Sequence, residues 1–261
     1  MKRKVIAVLI LIILFIFGGC GVRDNTHTTE FYKIYVHKNT ATILELTDKG
    51  KEQEVLIIPS EFKGNPVKKI GMVLYYGSSA RFKSEKLKKI YIPETVNLIN
   101  HGSFIFCNNL KELVVSSNNF ENVLKNLYLD SLGIDDKMAI EGLKIYLPNN
   151  YYQNVQDIER SETFKELYKN TINPANISFN YNYQDSPNEG YYFIDNISDT
   201  GKITKPDNPK RQGYAFVSWY LEPEFKNEWN FETDEVIVEK DEEGNPIYSE
   251  TILYARWAKI D

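Results

Sequence analysis

The sequence predicts a mainly β protein with short helices, of the α+β class. It reads as a short coil of stacked repeats followed by a small second β domain. Three observations carry this. Leu87, Ile90 and Ile92 recur as Leu110, Leu113 and Val115 at an offset of 23 residues. Each copy holds one short strand of alternating apolar residues, and two of these strands run into a proline (Pro93, Pro148). From residue 173 onward the pattern changes to alternating aromatics: Phe179, Tyr181, Tyr183.

The chain opens with Lys2, Arg3 and Lys4, then an unbroken apolar run from Val5 to Phe17. A bilayer-spanning helix needs about 20 apolar residues, so this run suits a signal-peptide core better than a membrane span. Gly18 and Gly19 precede Cys20, and "FGGC" followed by Gly21 resembles a bacterial lipobox. Phe17 departs from that pattern, which usually has an aliphatic residue there. The resemblance implies residues 1–19 as a signal peptide and a lipid on Cys20. An ordinary secretory signal with a chance cysteine is the alternative. Residues 20–30 have almost no apolar side chains and are expected to form a flexible tether. The membrane, reached through the N-terminal lipid, is therefore one expected partner.

"FYKIYVHKNTATILEL" from Phe31 alternates as a strand pair would and is expected to cap the repeats. In the repeats, Ile58-Pro59 with Val67 and Ile70 matches Ile92-Pro93 with Val96 and Ile99, and "LKIYLP" (143–148) gives the strand signature again. A period of 20–29 residues with one strand per unit marks a leucine-rich-repeat solenoid. Proline stops each strand because it has no N–H to donate. A single unit cannot bury its own apolar face, so neighbours must stack.

Phe104, Cys107 and Leu110 fall at i, i+3 and i+6, the inner edge of a tight turn. A reactive thiol needs a base and a positive environment, and His101 lies across Gly102 from it. Cys107 is expected to fill a place in the wall as a small buried hydrophobe. With Cys20 lipidated it has no disulfide partner, so the fold must rest on its core. The 42% hydrophobic composition can supply one.

"VLIIPSEFKGNPVKKIG", "KKIYIPETVNLI" and "GSFIFCNNLKEL" resemble the BspA-type leucine-rich repeat of bacterial surface proteins. The resemblance covers residues 31–172. It departs at "YYGSSARFKSE" and over 118–141, leaving about three recognisable units. "YYQNVQDIERSETFKELYKN" reads as a helix closing the far end.

In residues 173–261, Pro206, Pro209, Arg211, Gly213, Tyr214, Phe216, Trp219 and Tyr220 are followed by Trp229 and Phe231, then by Leu253, Tyr254, Ala255 and Trp257. These clusters resemble the internalin-type B repeat, also called the Listeria–Bacteroides repeat. That resemblance implies a small β-grasp-like module. A longer link, "TDEVIVEKDEEGNPIYSE", departs from it and is expected to add or extend a hairpin. The aromatics are expected to form the core, because a domain this small needs their buried area.

Formal net charge is -5. Residues 31–172 carry 19 basic and 17 acidic side chains, and 173–261 carry 8 and 17. The acidic second half argues against nucleic acid as a partner. No nucleophile elbow, phosphate loop, dinucleotide fingerprint or zinc motif occurs. No catalytic residue, cofactor or metal is therefore expected, and the protein is read as a non-enzyme. The pairs Tyr75-Tyr76 and Tyr151-Tyr152 are the candidate contacts, expected to be exposed, as is Tyr191-Tyr192. The leading reading is a membrane-anchored surface protein that binds an extracellular protein or glycan through a solenoid face. A cell-envelope spacer and a solute-binding or enzymatic lipoprotein are the alternatives. Oligomeric state stays open.

Overall fold

The computed structural model describes residues 25–73, 79–100, 103–104, 106–118, 142–156, 171–197, 201–244, 246–247 and 250–260. The signal segment, Cys20, Tyr75, Tyr76, His101, residues 119–141 and the 157–170 part of the expected helix lie outside the described residues.

The described chain starts with β1 (Thr26–Thr28), β2 (Tyr32–His37) and β3 (Thr40–Leu46). β2 and β3 form the expected antiparallel pair. Lys38 and Asn39 both have positive φ between them, the geometry of a two-residue hairpin turn whose twist matches the strands. β1 corrects the expected tether, because residues 26–28 pair antiparallel with β2. The Thr29 hydroxyl fixes the turn by accepting the Tyr32 N–H at 3.0 Å, and the His27 ring packs on Phe62 at 5.3 Å.

A short helix α1 (Asp48–Lys51) follows, capped by Thr47, whose hydroxyl accepts the Gly50 N–H. Gly50 is required there, since a Cβ would sit 2.2 Å from the Phe31 carbonyl oxygen. Then come β4 (Val55–Ile57), β5 (Glu61–Phe62), β6 (Asn65–Ile70), β7 (Met72–Val73), β8 (Ser79–Ala80), β9 (Lys89–Ile92), β10 (Leu98–Ile99), β11 (Glu112–Val115), β12 (Lys144–Leu147), α2 (Asn149–Gln156) and β13 (Ile172–Pro174).

Successive turns stack into two sheets, one in the order β1-β2-β3-β6-β10 and one in the order β13-β12-β11-β9-β4. The second sheet is parallel throughout. Its register matches the 23-residue offset, with Leu113 opposite Ile90 and Val115 opposite Ile92. The Val-x-x-Ile match also holds, since Ile99 pairs with Ile70. β9 and β12 stop at the residue before proline, as expected. Ile34, Ile43, Val67, Ile70, Ile90, Ile92, Leu113, Val115 and Leu147 close one core between the sheets.

Cys107 lies in the wall of that core at 2% exposure beside Phe104. Its N–H donates to the Phe104 carbonyl at 2.9 Å, and the Leu110 N–H donates to the Cys107 carbonyl at 3.0 Å. These i+3 bonds make the tight turn that the spacing predicted.

Residues 176–260 form a second body. β14 (Ile177–Asn180), β15 (Tyr191–Asp195), β16 (Tyr214–Tyr220) and β19 (Thr251–Lys259) lie in the order β15-β14-β19-β16. The central pair is parallel and the outer pairs antiparallel. A hairpin of β17 (Glu239–Lys240) and β18 (Pro246–Ile247) occupies the long link, as expected. Most of these aromatics are core: Trp219 and Trp229 are buried, with Phe216, Phe231 and Trp257 packed against the same cluster, whereas Tyr214 and Tyr254 are half-buried outside it.

Cys107→Ala is expected to lower stability by about 1–3 kcal/mol through lost packing, measured by urea unfolding. Burial pushes the Cys107 thiol up to about 12. Native protein should therefore resist alkylation near pH 8 until it is unfolded, and fast labelling of the native state would show the wall to be open.

Candidate functional site

A half-buried strand alternates apolar and polar residues, whereas a strand covered on both faces reads as a continuous apolar run. The strands of the parallel sheet carry such runs: Ile90-Tyr91-Ile92, Leu113-Val114-Val115 and Ile145-Tyr146-Leu147. The inward members fill the first core. Tyr91, Val114 and Tyr146 point outward and belong to the core of the second body. Tyr91 stacks on Phe193 with ring centroids 5.1 Å apart. The parallel-sheet face, which the sequence reading expected to greet a partner, is therefore covered by residues 176–260. The three-residue apolar runs are the sequence signal that would have revealed this.

Two clusters of polar residues do most to fix the seam. Asp195, 1% exposed on its side chain, is the centre of the first. Its Oδ1 accepts from Lys89 Nζ at 2.9 Å, Tyr91 Oη at 2.6 Å and the Asn196 N–H at 2.7 Å. Its Oδ2 accepts the Thr204 N–H at 2.9 Å. The Tyr91 proton goes to the carboxylate, so the Thr204 hydroxyl, 2.9 Å away, donates to Tyr91. Burial, then the Asp195 charge, pushes the Tyr91 phenol far above its ordinary range.

Asn188 is the second point, in the left-handed conformation that Asn tolerates. Its Nδ2 donates to the carbonyls of Ser116 and Tyr191 at 2.7 Å each, and its Oδ1 accepts the Asn118 N–H at 2.6 Å. Tyr151 completes this point. Expected to be exposed, it is 2% exposed and donates its hydroxyl to the Asn188 carbonyl. Its ring lies against Tyr191. α2 is held against both bodies, which is why Tyr151 points inward. Tyr152 is partly buried against the first core, and Tyr192 is likewise buried, stacked near Trp219.

Beside the seam is a crevice of about 340 Å³. β1–β2 supply Thr29, Glu30, Phe31, Tyr32 and Ile34, the β4–β5 segment supplies Ile57, Pro59, Glu61 and Phe62, and the second body supplies Lys205 and Asp207. Ile57 is 37% exposed. Lys210 of the second body pairs with Glu61, and Lys49 pairs with Glu30 at 3.4 Å. A recess of about 20 Å³ shares Ile57 and Asp207 with the crevice and holds Glu94 and Tyr192. Desolvation pushes the Glu94 carboxyl up to about 7. Tyr181 Oη donates to it at 3.4 Å.

An apolar floor with carboxylates at its rim can hold a ligand but contains no nucleophile–base pair. Among the described residues no three His, Cys, Asp or Glu side chains converge as metal ligands. The sequence reading missed the crevice residues because Asp207 and Glu61 are far apart in the chain and share no motif.

Asp195→Ala takes the shared acceptor from Tyr91 Oη and the Thr204 N–H and leaves Lys89 with Glu112 at 3.4 Å and the Asn196 carbonyl. It is expected to cost about 2 kcal/mol, read as a drop in the urea midpoint. Loss below about 0.5 kcal/mol would show that the clasp contributes nothing. Glu94 holds its proton in the fold to a higher pH than the ordinary 4.5. From about 4.5 to about 7 the fold therefore binds more protons than the unfolded chain, so this group lowers stability as pH rises and levels off above 7. Glu94→Gln should remove that slope from a Tm–pH profile, each kcal/mol being worth about 2–4 °C. An unchanged slope would exclude Glu94 as its source.

Residues 176–255 match the Listeria–Bacteroides repeat domain family. No curated protein matches the chain. Among solved structures, a leucine rich cell surface protein from Faecalibacterium prausnitzii A2-165 is 17% identical, with a TM-score of 0.27. The match covers 57% of this chain and 32% of that one, so this chain spans about a third of that protein. Such a likeness is too distant to bear on fold or function. The repeat match coincides with the second body, and a Listeria–Bacteroides repeat domain is what this chain is shown to carry there.

Proposed function

We propose that this is a lipid-anchored surface protein that binds an extracellular protein or glycan in the crevice beside its seam and catalyses nothing. In this reading the N-terminal body is a short leucine-rich-repeat solenoid of the BspA type and the second body a β-grasp-like module. The stacked parallel strands at a 23-residue offset support the first. The sheet order with a parallel central pair, together with the Listeria–Bacteroides match, supports the second. The observation that carries the functional reading is where the sheet face went. A solenoid usually offers that face to partners, and here the second body occupies it. The apolar concavity that remains, lined by both bodies, is of ligand-pocket size.

A second reading, an envelope spacer, is favoured by one distance. The first strand begins at Thr26, six residues beyond Cys20. Six residues of chain span at most about 20 Å, so with Cys20 lipidated the crevice stays near the bilayer. Partners within the envelope are then closer to hand than a host matrix.

The test is binding of the full chain, held in detergent micelles, to an array of matrix proteins, mucin glycans and purified cell wall. Saturable binding to one component, lost at least about tenfold in Ile57→Arg at unchanged Tm, is expected. Binding that survives Ile57→Arg would place the site elsewhere. Binding to wall alone would favour the spacer.

A further inference from the structure

This inference rests on the crevice being the binding site and names what enters it. We propose that its occupant is an extended peptide segment carrying a lysine or arginine side chain, whose stem lies on the apolar floor and whose cationic head meets Asp207 and Glu61.

The charges presented to the crevice are mainly negative. Glu30, Glu61 and Asp207 line it, against Lys205 alone. The Lys205 ammonium is turned toward the Phe231 ring, 5.5 Å from its centroid, and Phe231 is not part of the lining. Lys49 and Lys210 each reach one carboxylate oxygen from outside the lining. An ionised carboxylate has about four acceptor sites, so Glu30 and Glu61 retain capacity. Among the described residues no hydrogen bond or ion pair reaches the Asp207 carboxylate, although the Asp207 carbonyl accepts from Tyr192 Oη at 2.8 Å.

The floor suits the stem of such a side chain. Ile34, Ile57 and Pro59 are aliphatic, and lysine and arginine bury their methylenes while keeping the head polar. The aromatic wall accepts cations too: Phe62 already has the Lys63 ammonium over its ring at 5.3 Å. A neutral sugar can donate its hydroxyls to these carboxylates but leaves their charge unbalanced, and an acidic segment would be repelled. The space takes one or two side chains, so affinity for a short peptide should be modest and strongly salt-dependent.

The test titrates the full chain in micelles, by calorimetry, with acetyl-Gly-Ile-Lys-Ile-Gly-amide, with its norleucine and glutamate counterparts, and with chitotriose. The lysine peptide is expected to bind at least about tenfold more tightly than the norleucine peptide. That advantage should shrink severalfold between about 50 and about 500 mM salt. The glutamate peptide should not bind. Glu61→Gln with Asp207→Asn should erase the advantage with Tm unchanged.

Equal binding of lysine and norleucine peptides, both lost in Ile57→Arg, would overturn the cationic preference and keep the crevice. Binding of chitotriose alone would overturn the peptide assignment. Lysine-peptide binding indifferent to Ile57→Arg, or no binding by any probe, would overturn the crevice itself.

Discussion

The structure depends on a parallel sheet that cannot be left half covered. Tyr91, Val114 and Tyr146 stand in a row on the face turned away from the first core. Left in water they would form an exposed apolar stripe that a lone domain rarely tolerates. Their burial under the second body joins two hydrophobic cores through one thin sheet. The order of the chain makes this possible: β13 ends at Pro174, on the sheet, and β14 starts three residues later at Ile177. The Ala175 N–H still donates to the Leu147 carbonyl at 2.8 Å. The second body is thus delivered to the edge of the surface it must cover.

Apolar burial has no direction, so something else must choose the angle at which the second body lands. Asp195 and Asn188 do this. A buried carboxylate is costly unless nearly all its acceptor sites are filled, and Asp195 fills them with donors from both sides of the seam. Only one placement brings Lys89, Tyr91 and the Thr204 amide together on it. Any other leaves a charge stranded, which is a larger penalty than the contact itself is worth. Asn188 adds a second fixed point at the Ser116 and Asn118 end. Two points leave only rotation about the line joining them, and the packed row of Tyr91, Val114 and Tyr146 removes that.

The parts of this molecule legible in sequence are those in which neighbours in the chain are neighbours in space, or recur at a fixed spacing. The 23-residue offset became strand register because each turn of the coil repeats the last. Pro93 and Pro148 marked strand ends because the missing N–H acts locally. Cys107 was legible because an i, i+3, i+6 pattern already implies the turn that buries it. Tyr151 was misread for the opposite reason: its burial is set by Asn188 and Tyr191, about 40 residues on. β1 was misread because polar composition suggested a tether, yet Thr-His-Thr suits an edge strand with one face in water. Tyr91, Val114 and Tyr146 were in plain sight as the middle residues of apolar runs. Reading only for alternation hid them.

The crevice and the seam are physically linked. Asp207 lines the crevice and the recess, and Glu94 in that recess touches Tyr181 of the second body. The proposed ligand, meeting Asp207 of one body and Glu61 of the other, would bind only when the two are docked. Such a ligand stabilises the docked arrangement by RT ln(1 + [L]/Kd), about 2.7 kcal/mol at a hundredfold excess over Kd. Conversely, on the proposed reading, a substitution that loosens the Asp195 clasp far enough to populate the undocked state lowers apparent affinity without touching the ligand, because only the docked fraction can bind. On that proposal, affinity and docking are one equilibrium seen from two sides.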